Sequence, residues 1–236
     1  MARDLLKALF FSLGSFAAIG VSAQEVEQEA DSDAPPALEE RHVDSVGLMA
    51  RINKIETFLN GIDTLKSTFV QIADDGTISR GVLSLDRPGR MRFEYSDGTP
   101  LLLVSDGEVL SFIDYDVGQV TRWPINDTPL ALLVAKTVDL QSVNAMVNRL
   151  DVGGQAVYLV SVEDQEAAER GNLTLLIEER ADGSLFLRGW EVVDGQGAVT
   201  RIRLENPQLN PVLADSSLWR FKDPRKLPSQ RRKRVR

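Results

Sequence analysis

Five Asp-Gly dipeptides, at 75–76, 97–98, 106–107, 182–183 and 194–195, stand between short apolar runs that alternate with a period of two. Asp and Gly tolerate the positive φ angles of tight hairpin turns, so each pair reads as a turn with a mechanism behind it. The runs they separate are Leu65–Ile72, Ile78–Leu85, Met91–Tyr95, Leu101–Ser105, Val109–Tyr115 and Gln119–Trp123, then Ala156–Val162, Leu173–Glu178, Leu185–Val193, Val199–Leu204 and Leu218–Phe221. Strands do not alternate regularly with long helices, which disfavours a parallel nucleotide-binding sheet. An antiparallel meander is the expectation.

Helical signals interrupt this pattern. Leu48, Ile52, Ile55 and Leu59 fall at i, i+4, i+7 and i+11, one face of a helix, with Asp44 or Ser45 to cap its start and Gly61 to end it. Thr128-Pro129 reads as an N-cap followed by proline at the first helical position, continued by Leu130, Leu132, Leu133 and Val134. A second helical stretch is expected over Val143–Leu150. The expected domain, residues 43–224, is mainly β within the α+β class: one antiparallel sheet with short apolar helices packed on one face.

The flanks differ in composition. Arg3 and Lys7 precede an apolar stretch from Ala8 to Val21, and Val21-Ser22-Ala23 places small residues where a signal peptidase reads them. The alternative, a membrane anchor, is disfavoured because the stretch is shorter than the ~20 residues needed to span. Residues 1–23 are therefore read as a signal peptide and the mature chain as soluble and exported. Residues 24–42 are acidic and Ala/Pro-rich, a disordered linker ending at the single histidine, His42. Residues 225–236 form a basic, disordered tail. The chain carries a formal −8, but residues 1–23 carry +1 and residues 220–236 carry +8, leaving −17 on the remainder. The tail can touch an anionic membrane surface or a partner, or stay solvated.

Composition removes much chemistry. Without cysteine there is no disulfide, thiolate metal site, Cys nucleophile or cysteine-linked lipid, and one histidine cannot build a multi-histidine metal site. The overall acidity argues against nucleic acid as a partner. No phosphate loop, dinucleotide fingerprint, metalloprotease motif or nucleophile elbow occurs. Glu178 and Glu179, adjacent on a strand, point to opposite faces and form no carboxylate pair. Asp114 and Asp116 read as a solvated hairpin end. The chain is expected to be no enzyme and to need no cofactor or metal, a carboxylate-based hydrolase being the remote alternative.

The segment Leu83-Ser84-Leu85-Asp86-Arg87-Pro88-Gly89-Arg90-Met91-Arg92-Phe93-Glu94-Tyr95 reads strand, proline turn, strand, with Met91, Phe93 and Tyr95 on one face. An arginine at such a strand end either bonds carbonyls of a covering segment or is solvated, and spacing alone favours solvation. The apolar face is either filled core or cavity lining, which periodicity does not separate.

Phe69-Val70-Gln71, Gly81, Arg87-Pro88, Met91-Arg92, Tyr95, Val104-Ser105-Asp106-Gly107, Gln119-Val120-Thr121 and Pro129 leading into Leu132-Leu133 together resemble the LolA family of periplasmic lipoprotein carriers. The likeness covers roughly residues 45–135; the C-terminal strands fit in pattern only. It implies an incomplete antiparallel β-barrel, a half-barrel, with short helices forming a lid over an apolar cavity. It implies carriage of acylated lipoproteins from an inner-membrane Lol-type ABC transporter to the outer membrane, to a LolB-like receptor where one is present, by a monomer. Arg87 takes the position of the family's gating arginine, a latch to lid carbonyls. Leu48, Ile52, Ile55, Leu59, Leu130 and Leu133 become the expected lid, and Met91, Phe93, Tyr95 and Phe112 the expected wall. Family aromatics near Ser111 and Ile113 are absent here, and the acidic linker and basic tail depart from the usual pattern. The alternative on the same half-barrel is a lipoprotein- or lipid-sensing regulatory module of the RseB type; a LolB-type anchored receptor is weaker still, lacking a lipid-bearing cysteine.

Overall fold

The computed structural model describes residues 45–163 and 171–226. The expected signal peptide, the acidic linker with His42 and most of the basic tail lie outside them. Eleven strands form one open antiparallel sheet. The first half of the chain supplies β1 (Thr64–Ile72), β2 (Ile78–Asp86), β3 (Arg90–Tyr95), β4 (Leu101–Asp106), β5 (Val109–Asp114) and β6 (Gln119–Pro124). The second supplies β7 (Met146–Val152), β8 (Gln155–Glu163), β9 (Asn172–Glu179), β10 (Leu185–Val193) and β11 (Val199–Leu209). Each half is a meander, and β1 pairs with β11 to join them in the order β6-β5-β4-β3-β2-β1-β11-β10-β9-β8-β7. The sheet does not close: β6 and β7 are its edges.

The Asp-Gly pairs sit at the turns. Gly76, Gly98, Gly107 and Gly183 take positive φ as expected; at the fifth turn Gly197 does so instead of Gly195. There Asp194 Oδ1 accepts the amides of Gln196 and Ala198.

The sheet is strongly curled. Phe93 on β3 and Trp190 on β10 are separated by four steps in the sheet, about 19 Å if it were flat. Their rings meet edge-on with centroids 6.1 Å apart. Phe69 joins them, 5.3 Å from Phe93 and 5.5 Å from Tyr95. The concave face thus draws apolar residues from both meanders into one core.

Helix α1 (Ser45–Asn60) lies on that face, burying Ile52, Ile55 and Leu59. It ends at Gly61, whose amide reaches the Thr57 and Phe58 carbonyls. The edges are joined by residues 125–145, a strap holding the short helix α2 (Ala131–Val134). The expected N-cap at Thr128 is displaced: α2 begins at Ala131 with Leu130 before it, because the Thr128 hydroxyl bonds the Ile125 carbonyl of a preceding 3-10 turn.

Three further expectations fail. Val143–Leu150 is no helix; Met146–Val152 is edge strand β7, paired in register with β8. Its apolar spacing matches a helical period, but the Gly153-Gly154 turn, both residues at positive φ, folds it back onto β8 as a hairpin and leaves Met146 and Leu150 exposed. Leu218–Phe221 is no strand either. Ser216–Trp219 is a 3-10 turn, and the segment crosses the outer face of β3 to β6. Arg92 donates to the Leu218 and Arg220 carbonyls, both at 3.1 Å, taking acceptors a strand ladder would have used. Arg90 stacks on Trp219 and Arg122 on Phe221, at 5.6 and 5.8 Å. Asp114 is buried, not solvated: its Oδ1 accepts the Asp116 and Val117 amides and closes the β5–β6 turn.

Candidate functional site: the lid contacts and the apolar cleft

Arg87 opens the β2–β3 turn, where the Arg87-Pro88 peptide is cis. Its Nη1 donates to the Leu59 carbonyl at 2.5 Å and its Nε to the Leu133 carbonyl at 2.9 Å. Both acceptors lie in the last turns of helices, where carbonyls have no intrahelical partner. One guanidinium therefore ties α1 and α2 to the sheet. Burial pushes its proton affinity down and nearby Asp63 pulls it up; a guanidinium stays charged regardless. Two backbone bonds reinforce the corner: the Arg87 amide to the Asp63 carbonyl, 2.9 Å, and the Gly89 amide to the Val134 carbonyl, 2.8 Å.

The two coverings are also fastened to each other. The Asn60 side chain bonds both the amide and the carbonyl of Val138, at 2.7 and 2.9 Å, imitating a strand partner. Glu56 Oε1 accepts the Leu140 amide at 2.8 Å. Farther along α1, Lys54 pairs with Glu179 on β9 at 2.5 Å, and Tyr158 donates to the same carboxylate. Those two bonds hold the Glu179 carboxyl below its ordinary range. Glu178, on the opposite face, pairs with Arg188 at 2.5 Å.

Between strap and sheet lies a small apolar cleft. Its apolar wall is Phe93, Tyr95, Leu130, Trp190, Val192 and Ile202, with the buried polar side chains of Gln71 and Thr200 beside them. Tyr95 donates its hydroxyl to Gln71 Oε1 at 2.7 Å, and burial raises the phenol's pKa so that it stays a donor.

All ten residues expected to form lid or wall fall in one apolar cluster. Ile52, Ile55, Leu59, Met91, Phe93, Phe112, Leu130 and Leu133 are buried in it, and Leu48 and Tyr95 pack against its side. Of these, Phe93, Tyr95 and Leu130 line the cleft; the others do not. Sequence reasoning missed the opposite wall, Trp190, Val192 and Ile202. Their alternation marked an inward face, but only the curl of the sheet brings it opposite β3. Asn60 and Glu56 were missed outright, as polar residues on an otherwise ordinary helix.

Residues 60–222 match the family described as outer membrane lipoprotein carrier protein LolA. The chain belongs to the LolA family. Its relatives include proteins named outer-membrane lipoprotein carrier protein. That from Legionella pneumophila (strain Paris) is 29% identical over 180 residues, covering 72% of this chain and 85% of that protein. That from Dechloromonas aromatica is 28% identical over 182 residues, covering 73% and 84%. A crystal structure of a LolA superfamily protein from Nitrosomonas europaea aligns at a TM-score of 0.39 with 9% identity, covering 72% of this chain and 97% of that one. The LolA family is named for carriage rather than for a reaction. Among the described residues no three acidic or histidine side chains gather as a metal site.

Proposed function

We propose that this chain is a periplasmic carrier that takes up the acyl chains of lipoproteins beneath its lid, moves them through water and releases them at the outer membrane, without catalysis. One observation carries this reading beyond the family relationship. A single half-buried arginine holds both helical coverings over an apolar, concave sheet, with a cleft between strap and sheet.

The energetics explain why such a lid is needed. Each buried CH₂ contributes ~0.8 kcal/mol, so a 16-carbon chain represents about 12 kcal/mol and three chains about 35 kcal/mol. The upper figure exceeds the roughly 18–21 kcal/mol at which reversible affinities saturate. A releasable cargo therefore needs an opposing term. Ile52, Ile55, Leu59, Leu130 and Leu133 supply it by packing into the sheet when the carrier is empty. Opening exposes that surface again, and the ligand recovers only the difference. In this reading Arg87 is the latch that sets the opposing term. Met91, Phe93, Tyr95 and Phe112, with Trp190, are the wall against which acyl chains lie once the lid lifts.

The segment 1–23 delivers the chain to the periplasm, an inner-membrane ABC transporter of the Lol type loads it, and an outer-membrane acceptor of the LolB type empties it. The test is a transfer assay: a triacylated lipopeptide offered in donor vesicles should appear in acceptor vesicles only when the protein is present. Transfer at the uncatalysed rate would refute the carrier function.

A further inference from the structure

The cleft changes character along its length. Gln71 stands one residue from the end of β1, Tyr95 at the end of β3 and Thr200 one residue into β11. Strand directions put all three at the end of the sheet marked by the β1–β2 turn, opposite the end that holds Arg87. Phe93 and Ile202 line the cleft two residues farther in on the same strands, with Trp190 paired opposite Ile202. Met91, Leu83 and Leu204 continue the buried face toward the Arg87 turn. Polar groups thus collect at one end of an otherwise apolar track.

Gln71 is out of place in this wall. It is 2% exposed at an inward position of β1, two residues after the buried Phe69. An aliphatic side chain of its length would pack there without amide groups to satisfy, and burying an amide unbonded is costly. The Tyr95 hydroxyl donates to its Oε1. That bond fixes the amide, because the oxygen must face the phenol and the nitrogen must face away from it. The nitrogen keeps two N–H donors, and no hydrogen bond to another described residue uses them. It is not sealed off either. Among the described residues the only fully buried side-chain polar atom without a partner is Asp194 Oδ2. The Gln71 nitrogen therefore opens into the cleft that its side chain lines.

Open donors at the head of an apolar track define the chemistry of what fits. A plain hydrocarbon displaces water from them and returns no acceptor, which loses affinity. An ionised carboxylate would give up its hydration without meeting a cation, since no Lys or Arg lines the cleft. A fatty acyl ester is neutral, offers one carbonyl oxygen and continues as a chain that Phe93, Trp190 and Ile202 can cover.

We propose that Gln71, held by Tyr95, donates to the ester carbonyl of a bound acyl chain. The cleft then holds the carbonyl end of the chain, and the methyl end runs along the concave face toward Arg87. The inference rests on the carrier reading and deepens it. It names the atom of the cargo that the wall recognises and the end of the molecule from which the acylated polypeptide emerges.

The test is a competition within one native mass spectrum. Protein recovered from a periplasmic extract is mixed with equal amounts of two lipopeptides of one sequence. One carries two palmitoyl esters on its glyceryl group, the other two hexadecyl ethers, so that each carbonyl becomes a methylene and the masses differ. A preference of about tenfold for the ester is expected. Gln71→Met keeps the length and removes the donors; it should take up both peptides alike, the ether at least as well as the native protein does. Tyr95→Phe, which frees the amide to turn, should reduce the preference severalfold, and it decides the matter alone where Gln71→Met lowers the unfolding midpoint. Equal occupancy by ester and ether in the native protein, or a preference that survives Gln71→Met, would overturn the subsite and leave carriage standing. Uptake of neither peptide would refute the carrier reading, and the subsite with it.

Discussion

The Arg87 guanidinium donates to the Leu59 carbonyl at 2.5 Å, so a residue of the β2–β3 turn completes the last turn of α1. The same side chain completes α2 at Leu133. Replacing it leaves two carbonyls at helix ends without their charged donor, which weakens closure without removing any apolar contact between lid and sheet.

Arg87→Leu should therefore stay folded while favouring the open lid. A hydrogen bond to a charged group contributes ~1.5–3 kcal/mol, so denaturant unfolding should report a loss of about 2–3 kcal/mol within a typical total of 5–15 kcal/mol. Because the empty closed state is less favourable, acylated ligand should bind more tightly and leave more slowly. A variant that loads and releases lipopeptide at the native rate would refute the latch.

Gly81 and Gly76 separate packing from backbone strain. A Cβ on Gly81 would stand 2.2 Å from the Glu94 carbonyl oxygen and 2.8 Å from the Phe69 ring. Gly81→Ala should cost about 3 kcal/mol or more, because the sheet must shift beside the wall residues. Gly76 has φ +80° in open space, and Gly76→Ala should cost only ~1–2 kcal/mol. Urea midpoints of the two variants measure the difference; equal losses would mean that Gly81 has room the structure does not show.

The Lys54–Glu179–Tyr158 cluster should make α1 sensitive to acid. The carboxyl of Glu179 is held below its ordinary range, first by its bond from Lys54 and then by that from Tyr158. A depressed carboxylate adds stability that is complete above its unfolded value and is lost as pH falls through the folded one. Amide exchange in α1 should accelerate over that acidic window, and Glu179→Gln should abolish the pH dependence. The stability change should be ~1 kcal/mol or less, as for other partly exposed pairs.

Trp190 should report cargo. It is buried in the cleft wall, whereas Trp219 lies on the outer face beside Arg90. Addition of an acylated ligand should change tryptophan fluorescence in the native protein and in Trp219→Phe. Trp190→Phe should lose most of that change. A response carried by Trp219 instead would place the ligand outside the cleft.

Much of this fold can be read in the chain because its turns are local. Asp-Gly at 75–76 or 182–183 sets a hairpin without reference to distant residues, and the face of Ile52, Ile55 and Leu59 is likewise set by spacing. What depends on long-range pairing was hidden. β1 meets β11 across 129 to 144 residues, and that junction with the curl around it brings Trp190 to Phe93. Met146–Val152 carries a helical spacing yet forms a strand, because the Gly153-Gly154 turn folds it back onto β8. Arg87 illustrates the difference between position and role. Its place at a strand end is visible, but its acceptors are carbonyls of Leu59 and Leu133, which no side-chain pattern encodes.

Native mass spectrometry of the protein recovered from a periplasmic extract, mixed with a triacylated lipopeptide and separately with the same peptide lacking its acyl chains, tests the carrier function most directly. A one-to-one complex with the acylated peptide alone, emptied on addition of acceptor vesicles, is the predicted result. A folded protein that takes up neither peptide, or both alike, would contradict it.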